Sequence, residues 1–449
     1  MGTKRGEING KNMWGGDLFS SSEKEEPPSI IISQKVYFWQ KFPLYENVSP
    51  DEFLDYRWQI KNMIRTPEQL FNAFPFLTEE EKKNIEAVAK IYPILISPYY
   101  LSLIDPYDPN DPIRKQAIPT IDELFDTESI YDPLEEEKDE AAPGLVHRYP
   151  DRVLLITTNF CPTYCRHCTR KRILGKGRTV KSLLEFDKVL DYLREHPEIT
   201  DVIVSGGDPL TLPLHKLKMI LDGLKSIPSI EVVRIGSRVP VTLPMRLYDR
   251  ELLNLLSKYD FLWLNTHFNH PNEITEYSKR AVLNLLKIGI PVNNQTVLLK
   301  GVNDDVDTMR KLFKGLLRIK VKPYYLFHCD PTKGVSHFRT SVYKGIEIME
   351  GLRGHISGLA VPTYVIDAPH GGGKVPVMPN YVISMSEDKI ILRNFEGMIF
   401  SYLNKPSKRK NKERGKKEEG ILSLFEGERE YLIPVENLRM KRRSEKSNP

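Results

Sequence analysis

The segment Cys161-Pro162-Thr163-Tyr164-Cys165-Arg166-His167-Cys168 gathers three of the four cysteines of a 449-residue chain, spaced C-x3-C-x2-C. So few cysteines, so unevenly placed, make no disulfide framework. A structural zinc site closes on four ligands, usually as two C-x2-C pairs, and the second pair is missing. Iron–sulfur cubanes take one thiolate per iron. Three clustered thiolates therefore suit a four-iron cluster whose last iron stays open to bind and react. Two other readings fit the spacing alone: buried structural thiols, or zinc completed by His167 or a distant residue. Cys329, the fourth cysteine, lies far away in sequence.

Around this motif the chain alternates regularly. Short apolar strands at 153–157, 201–205, 231–235, 261–264, 291–299 and 322–328 are interleaved with helical patterns at 182–195, 214–225, 250–259, 272–288 and 306–317. Such alternation implies parallel βαβ units. Six strands fit an α/β fold with a partial TIM-like (β/α)6 barrel. The unusual residues follow the strands. The cysteines come after the first, Gly206-Gly207-Asp208-Pro209 after the second, Thr266-His267-Phe268-Asn269-His270 after the fourth and Cys329-Asp330 after the sixth. Gln295 lies within the fifth. Barrel active sites form at these C-terminal strand ends.

Upstream, Ser49-Pro50-Asp51-Glu52, Thr66-Pro67-Glu68-Gln69 and Thr78-Glu79-Glu80-Glu81 are helix starts with capping-box chemistry. They predict an N-terminal helical domain over 31–110, packed by Trp39, Phe53, Tyr56, Trp58 and Ile64. Residues 1–30, rich in Gly, Ser, Lys and Glu, read as disordered. Residues 111–145 read as an irregular connection, and their acidic run, 135–140, as solvated surface. The barrel is assigned to 146–345, a C-terminal region to 346–400 and a basic extension to 401–449.

That extension accounts for the net charge of +5. Eight Lys/Arg and three Glu fall within 405–419, with a second basic patch at 439–443. No aromatic residues interleave these charges for base stacking, so a nucleic-acid role is not favoured. The start of the chain is polar, without a signal-peptide apolar region. The most apolar stretch, 89–104, is interrupted by Pro93 and Pro98 and is too short to span a bilayer. A cytoplasmic protein away from the membrane is expected.

Ala368-Pro369-His370-Gly371-Gly372-Gly373-Lys374-Val375 is the second exceptional stretch. Its glycines permit close backbone approach to a bound group. Val375 after Gly-Lys excludes a Walker phosphate loop, which needs Ser or Thr there. A lysine at this place could neutralise phosphate or form a Schiff base with pyridoxal phosphate. Read alone, a surface loop fits equally.

Together the two stretches resemble the lysine 2,3-aminomutases of the radical S-adenosylmethionine superfamily. The likeness runs from about Trp58 to about Glu396. It includes Arg148-Tyr149-Pro150-Asp151-Arg152, the cysteine motif through Arg170, Ser205-Gly206-Gly207-Asp208, Asn265-Thr266-His267-Phe268-Asn269-His270-Pro271, His337-Phe338-Arg339-Thr340, and 361–381.

The resemblance implies a role for each. Cys161, Cys165 and Cys168 would hold a [4Fe–4S] cluster whose open iron binds S-adenosylmethionine. Gly206, Gly207, Asp208, His267 and Gln295 would contact that cofactor. Lys374 would be the catalytic lysine carrying pyridoxal phosphate, with Arg148, Tyr149 and Arg152 on its phosphate side. Arg170 would bind the substrate carboxylate, and Asp330 and Asp367 the ε-ammonium of L-lysine, which would become L-β-lysine. An electron donor such as flavodoxin or ferredoxin and a homo-oligomer are implied as well. No cysteine follows Cys329, so the zinc some relatives bind is not expected, and Phe327 stands where relatives often have Tyr. Other readings are the same chemistry on another cationic amino acid or a protein lysine, or a non-catalytic metal- or nucleic-acid-binding protein.

Overall fold

The computed structural model describes residues 37–126, 129–172, 183–386, 388–403 and Arg443. The expected disordered segment 1–30 and the basic run 405–419 lie outside these residues, as does most of the 439–443 patch. Among the described residues, no helix is long and apolar enough to cross a membrane.

The βα alternation folds as the sequence predicts. Strands β1 (Glu140–Ala142), β2 (Leu145–Val146), β3 (Arg152–Thr158), β4 (Asp201–Gly206), β5 (Val232–Gly236), β6 (Leu262–Thr266), β7 (Val292–Leu298), β8 (Lys322–His328), β9 (Thr363–Ala368) and β10 (Gly373–Pro376) form one sheet in chain order. β3 to β9 pair in parallel, whereas β1, β2 and β10 are antiparallel additions at the two edges. The ends of the order do not pair, so this is an open, TIM-like partial barrel. The intervening helices bury one apolar stripe each, for example Met309, Leu312, Phe313 and Leu316 of Val306–Arg318.

Two features differ from the sequence reading. The sheet does not stop at the sixth parallel strand, because β9 and β10 continue it into the region read as a separate C-terminal part. Lys374 therefore sits on a strand, not on a loop. It faces Asp367 directly across an antiparallel hairpin, turned by His370, Gly371 and Gly373, all at positive φ.

Nor do the N-terminal helices form a domain of their own; from Phe38 onward the described chain is one compact unit. Ser49, Thr66 and Thr78 make the predicted capping boxes, and Trp39 stacks on Phe53 at 4.0 Å. The segment is stitched to the cysteine loop, however. Ile96 bridges Ile64 on one side and Thr163 on the other. The backbone N–H of Tyr164 donates to Leu95 O (2.7 Å) and that of Arg166 to Gln116 O (2.9 Å). Arg166 and Lys171 both close on Glu123, from Nε at 2.8 Å and Nζ at 2.7 Å, with side chains essentially excluded from water. A further three-stranded antiparallel sheet, β11 (Val382–Met385), β12 (Lys389–Arg393) and β13 (Ile399–Leu403), lies beyond the barrel.

Candidate active site

A cavity of about 330 Å³ opens at the C-terminal ends of the strands. Its lining brings together every residue to which the resemblance assigns a role: Cys161, Cys165, Cys168, Arg170, Arg148, Tyr149, Arg152, Gly206, Gly207, Asp208, His267, Gln295, Asp330, Asp367 and Lys374. The cysteine loop follows β3, and the glycines at the end of β4 clamp it. The backbone N–H of Gly207 donates to Thr158 O and that of Asp208 to Phe160 O (2.8 Å). A Cβ on Gly207 would lie 2.3 Å from Phe160 O, and one on Gly206, at φ +118°, 2.4 Å from Thr158 O. The two glycines are thus required by close packing against the loop that carries Cys161.

Asp208 is buried and caps the next turn; its carboxylate accepts from Ser237 Oγ (2.7 Å), Arg238 N–H (2.8 Å) and Leu210 N–H (3.2 Å). Burial nonetheless pushes its carboxyl up to about 6. Burial, followed by the charge of Arg238, pushes the His267 imidazole down to about 4, so the ring is neutral at physiological pH. His167, the residue that could have completed a zinc site, meets Asn269 Nδ2 through Nε2 at 3.2 Å.

Arg238 went unnoticed in the sequence. Two residues past the end of β5, it buries its guanidinium against Cys165 Sγ (Nη1, 2.7 Å), Glu273 Oε1 (2.7 Å), Gln116 Oε1 (2.7 Å) and Tyr100 Oη (3.0 Å). Because Glu273 is fully buried, Arg238→Met leaves an uncompensated charge. That variant is expected to lose about 3 kcal/mol of unfolding free energy in a urea titration; an unshifted midpoint would refute the dependence.

The acidic run is solvated surface only in part: Glu137 and Lys138 are exposed. Glu136 and Asp139 are buried because the fold brings arginines to them. Glu136 Oε1 accepts from Arg170 Nη2 (2.7 Å) and Nε (3.1 Å), and its Oε2 from Arg172 Nη2 (3.2 Å). Asp139 accepts from Arg148 Nε (3.1 Å) and Arg443 Nε (2.7 Å). Burial alone would raise the Glu136 carboxyl, but Arg170, Arg172 and Arg148 outweigh it and hold it at about 2.

At the other side of the cavity Lys374 Nζ lies 3.0 Å from Asp367 Oδ2, 5.5 Å from the Phe327 ring and 6.0 Å from that of Tyr149. The Lys374 backbone N–H donates to Tyr149 Oη (2.9 Å), and the Arg152 guanidinium stacks 4.2 Å from the Tyr149 ring. Asp367 is buried, and its second oxygen, Oδ1, has no hydrogen-bond partner. Burial, then the charge of Asp367, pushes the Asp330 carboxyl up to about 7.

Comparison with known proteins decides the lineage. Residues 155–313 match the radical SAM superfamily and 349–449 the lysine-2,3-aminomutase family. The L-lysine 2,3-aminomutase of Clostridium subterminale is 51% identical over 411 residues, 90% of this chain and 98% of that protein. This chain belongs to the lysine 2,3-aminomutase family. Another member, the L-lysine 2,3-aminomutase of Methanococcus maripaludis, is 50% identical over 80% of this chain and 83% of that one. The glutamate 2,3-aminomutase of Clostridioides difficile is 46% identical over 82% and 87%, so identity level alone does not separate the substrates.

Membership in this family implies a [4Fe–4S] cluster, S-adenosylmethionine and pyridoxal phosphate, and the residues present fit them. Desolvation pushes the thiols of Cys161 and Cys168 up, Cys168 to about 11, so without a metal they stay protonated. Arg238 Nη1 on Cys165 and the Arg170 backbone N–H on Cys168 Sγ (3.3 Å) are donors suited to thiolate sulfur. Lys374 enters the same cavity beside Tyr149 and Arg152, where an amine-linked phosphate cofactor needs a lysine and a cationic edge.

Proposed function

We propose that this protein is an isomerase that converts L-lysine to L-β-lysine, with Cys161, Cys165 and Cys168 as cluster ligands and Lys374 holding pyridoxal phosphate. The observation that carries the choice of lysine is the pair Asp330 and Asp367. Burial, and then the charge of Asp367 facing the same cavity, leave Asp330 about half protonated near neutrality. The unpartnered Asp367 oxygen calls for a donor, and the distal ammonium of lysine is both donor and counter-charge. A glutamate side chain brought to the same place would add a third carboxylate.

When bound, the cluster and S-adenosylmethionine supply a hydrogen-abstracting radical, and pyridoxal phosphate supplies the π-system through which nitrogen migrates. The chain's own groups set the geometry. Arg170 offers the Nη1 side of its guanidinium to the substrate carboxylate, with its backbone N–H on Cys168 Sγ, so that end of the substrate is registered against the cysteine loop. Asp330 and Asp367 hold the far ammonium. Arg148, Tyr149 and Arg152 flank Lys374 on the phosphate side. Neutral His267, with Gln295 and the clamp Gly206-Gly207-Asp208, lines the S-adenosylmethionine side without adding positive charge next to a sulfonium. A low-potential electron donor of the flavodoxin or ferredoxin kind, a cytoplasmic setting and a homo-oligomeric enzyme complete this reading.

Anaerobically reduced holoenzyme incubated with lysine, ornithine, arginine and glutamate is expected to make β-lysine from lysine alone; absence of β-lysine refutes the reading. The acidic pair also sets a pH dependence. Asp330 attracts an ammonium only when ionised, and its carboxyl sits at about 7. Lysine kcat/KM should therefore fall about tenfold per pH unit below 7 and level off above it. Asp330→Asn should erase that limb; a limb that persists belongs to another group.

A further inference from the structure

Arg170 presents an incomplete guanidinium. Its Nε and Nη2 edge is filled by Glu136, at 3.1 and 2.7 Å to Oε1, while Nη1 has only a long 3.5 Å approach to Ser205 Oγ. The free side faces the cavity, which Arg170, Glu136 and Ser205 all line. Glu136 is itself held: it is 4% exposed, and its second oxygen accepts from Arg172 Nη2 (3.2 Å), which also reaches Asp132 Oδ1 (2.9 Å). An arginine with four rotatable torsions binds a carboxylate tightly only if its fork is already aimed.

We propose that Glu136 is the positioning residue for the substrate carboxylate: it grips one edge of Arg170 and leaves the Nη1 side, towards Ser205, for the carboxylate to occupy. The proposal rests on the reading of Arg170 as the carboxylate ligand. It gives the otherwise puzzling burial of an acidic loop a task, since the charge that keeps Glu136 ionised is the same arginine pair that flanks the cysteine loop. Glu136 touches neither substrate nor cofactor in this arrangement and acts through Arg170.

The test uses the reconstituted holoenzyme with Glu136→Gln, Glu136→Asp and Arg170→Ala. KM and kcat are measured for lysine, and an inhibition constant for 1,5-diaminopentane, which keeps the distal ammonium but lacks the carboxylate. Glu136→Gln is expected to raise the lysine KM about tenfold, a loss of about 1.4 kcal/mol, with kcat little changed. Binding of 1,5-diaminopentane and iron content should stay at the parent level, and Glu136→Asp should fall between. A purely structural role would weaken both ligands together or strip iron, and that result in both Glu136 variants overturns the proposal. A lysine KM that falls in Glu136→Gln also overturns it, by making Glu136 a competitor for the fork. If Arg170→Ala raises KM while Glu136→Gln does not, the proposal fails and the Arg170 reading stands. If Arg170→Ala leaves KM unchanged, the Arg170 reading itself is wrong.

Discussion

Asp367→Asn is expected to lower lysine kcat/KM by about 10³, mostly through KM. Asparagine keeps the shape and one acceptor oxygen but removes the charge. At neutral pH Asp330 is about half protonated, so Asp367 is the dependable counter-charge for an ammonium that has shed its water. Breaking a buried ion pair by removing one partner costs about 3–5 kcal/mol, and about 4 kcal/mol corresponds to 10³. The same substitution removes the carboxylate 3.0 Å from Lys374 Nζ. Pyridoxal loading, read from its visible absorbance, must therefore be followed alongside the kinetics. Loading close to the parent with KM sharply raised places the effect on the substrate. A loss of less than tenfold would dismiss Asp367 as the ammonium ligand.

How far the sequence carried this picture depended on the range of the interactions. The βα alternation and the three capping boxes are local, with donors and acceptors a few residues apart, and each was legible. So was the clustering at strand ends, because a parallel barrel converts sequence order into spatial neighbourhood. What escaped was long-range pairing. Nothing near Glu136 announces that Arg170, 34 residues on, will bury it, and an acidic run without visible partners reads as surface. Glu123 was hidden for the same reason, inside a segment rich in Pro and Asp that read as mere connection. The β9–β10 hairpin was masked by its own chemistry: three glycines and a lysine suggested a loop, whereas the strand register places Lys374 opposite Asp367. Arg238 differs in kind. Its strand was recognised, but an arginine two residues before Pro240 carries no motif until the fold delivers Cys165 and Glu273 to it.

The glycine pair after β4 offers the most severe test of how the cysteine loop is held. Gly207→Ala is expected to abolish cluster assembly, leaving iron and sulfide near background in anaerobically reconstituted protein. The added methyl would lie 2.3 Å from Phe160 O and 2.8 Å from Phe160 N and C. These are backbone atoms, so no side-chain rotation relieves the contact; the residue preceding Cys161 must move. The hydrogen bond from Gly207 N–H to Thr158 O would go with it, and overpacking in so rigid a place costs at least about 1–3 kcal/mol. Gly289→Ala is the matched control. That glycine has φ +83° and nothing within 4 Å of the new methyl, so the variant carries left-handed backbone strain of about 1–2 kcal/mol without a clash. It should bind iron normally. Were Gly207→Ala to load iron as well as Gly289→Ala does, the cysteine loop would be less tightly clamped than its contacts require, and Arg238 and the N-terminal stitching would be left to hold it.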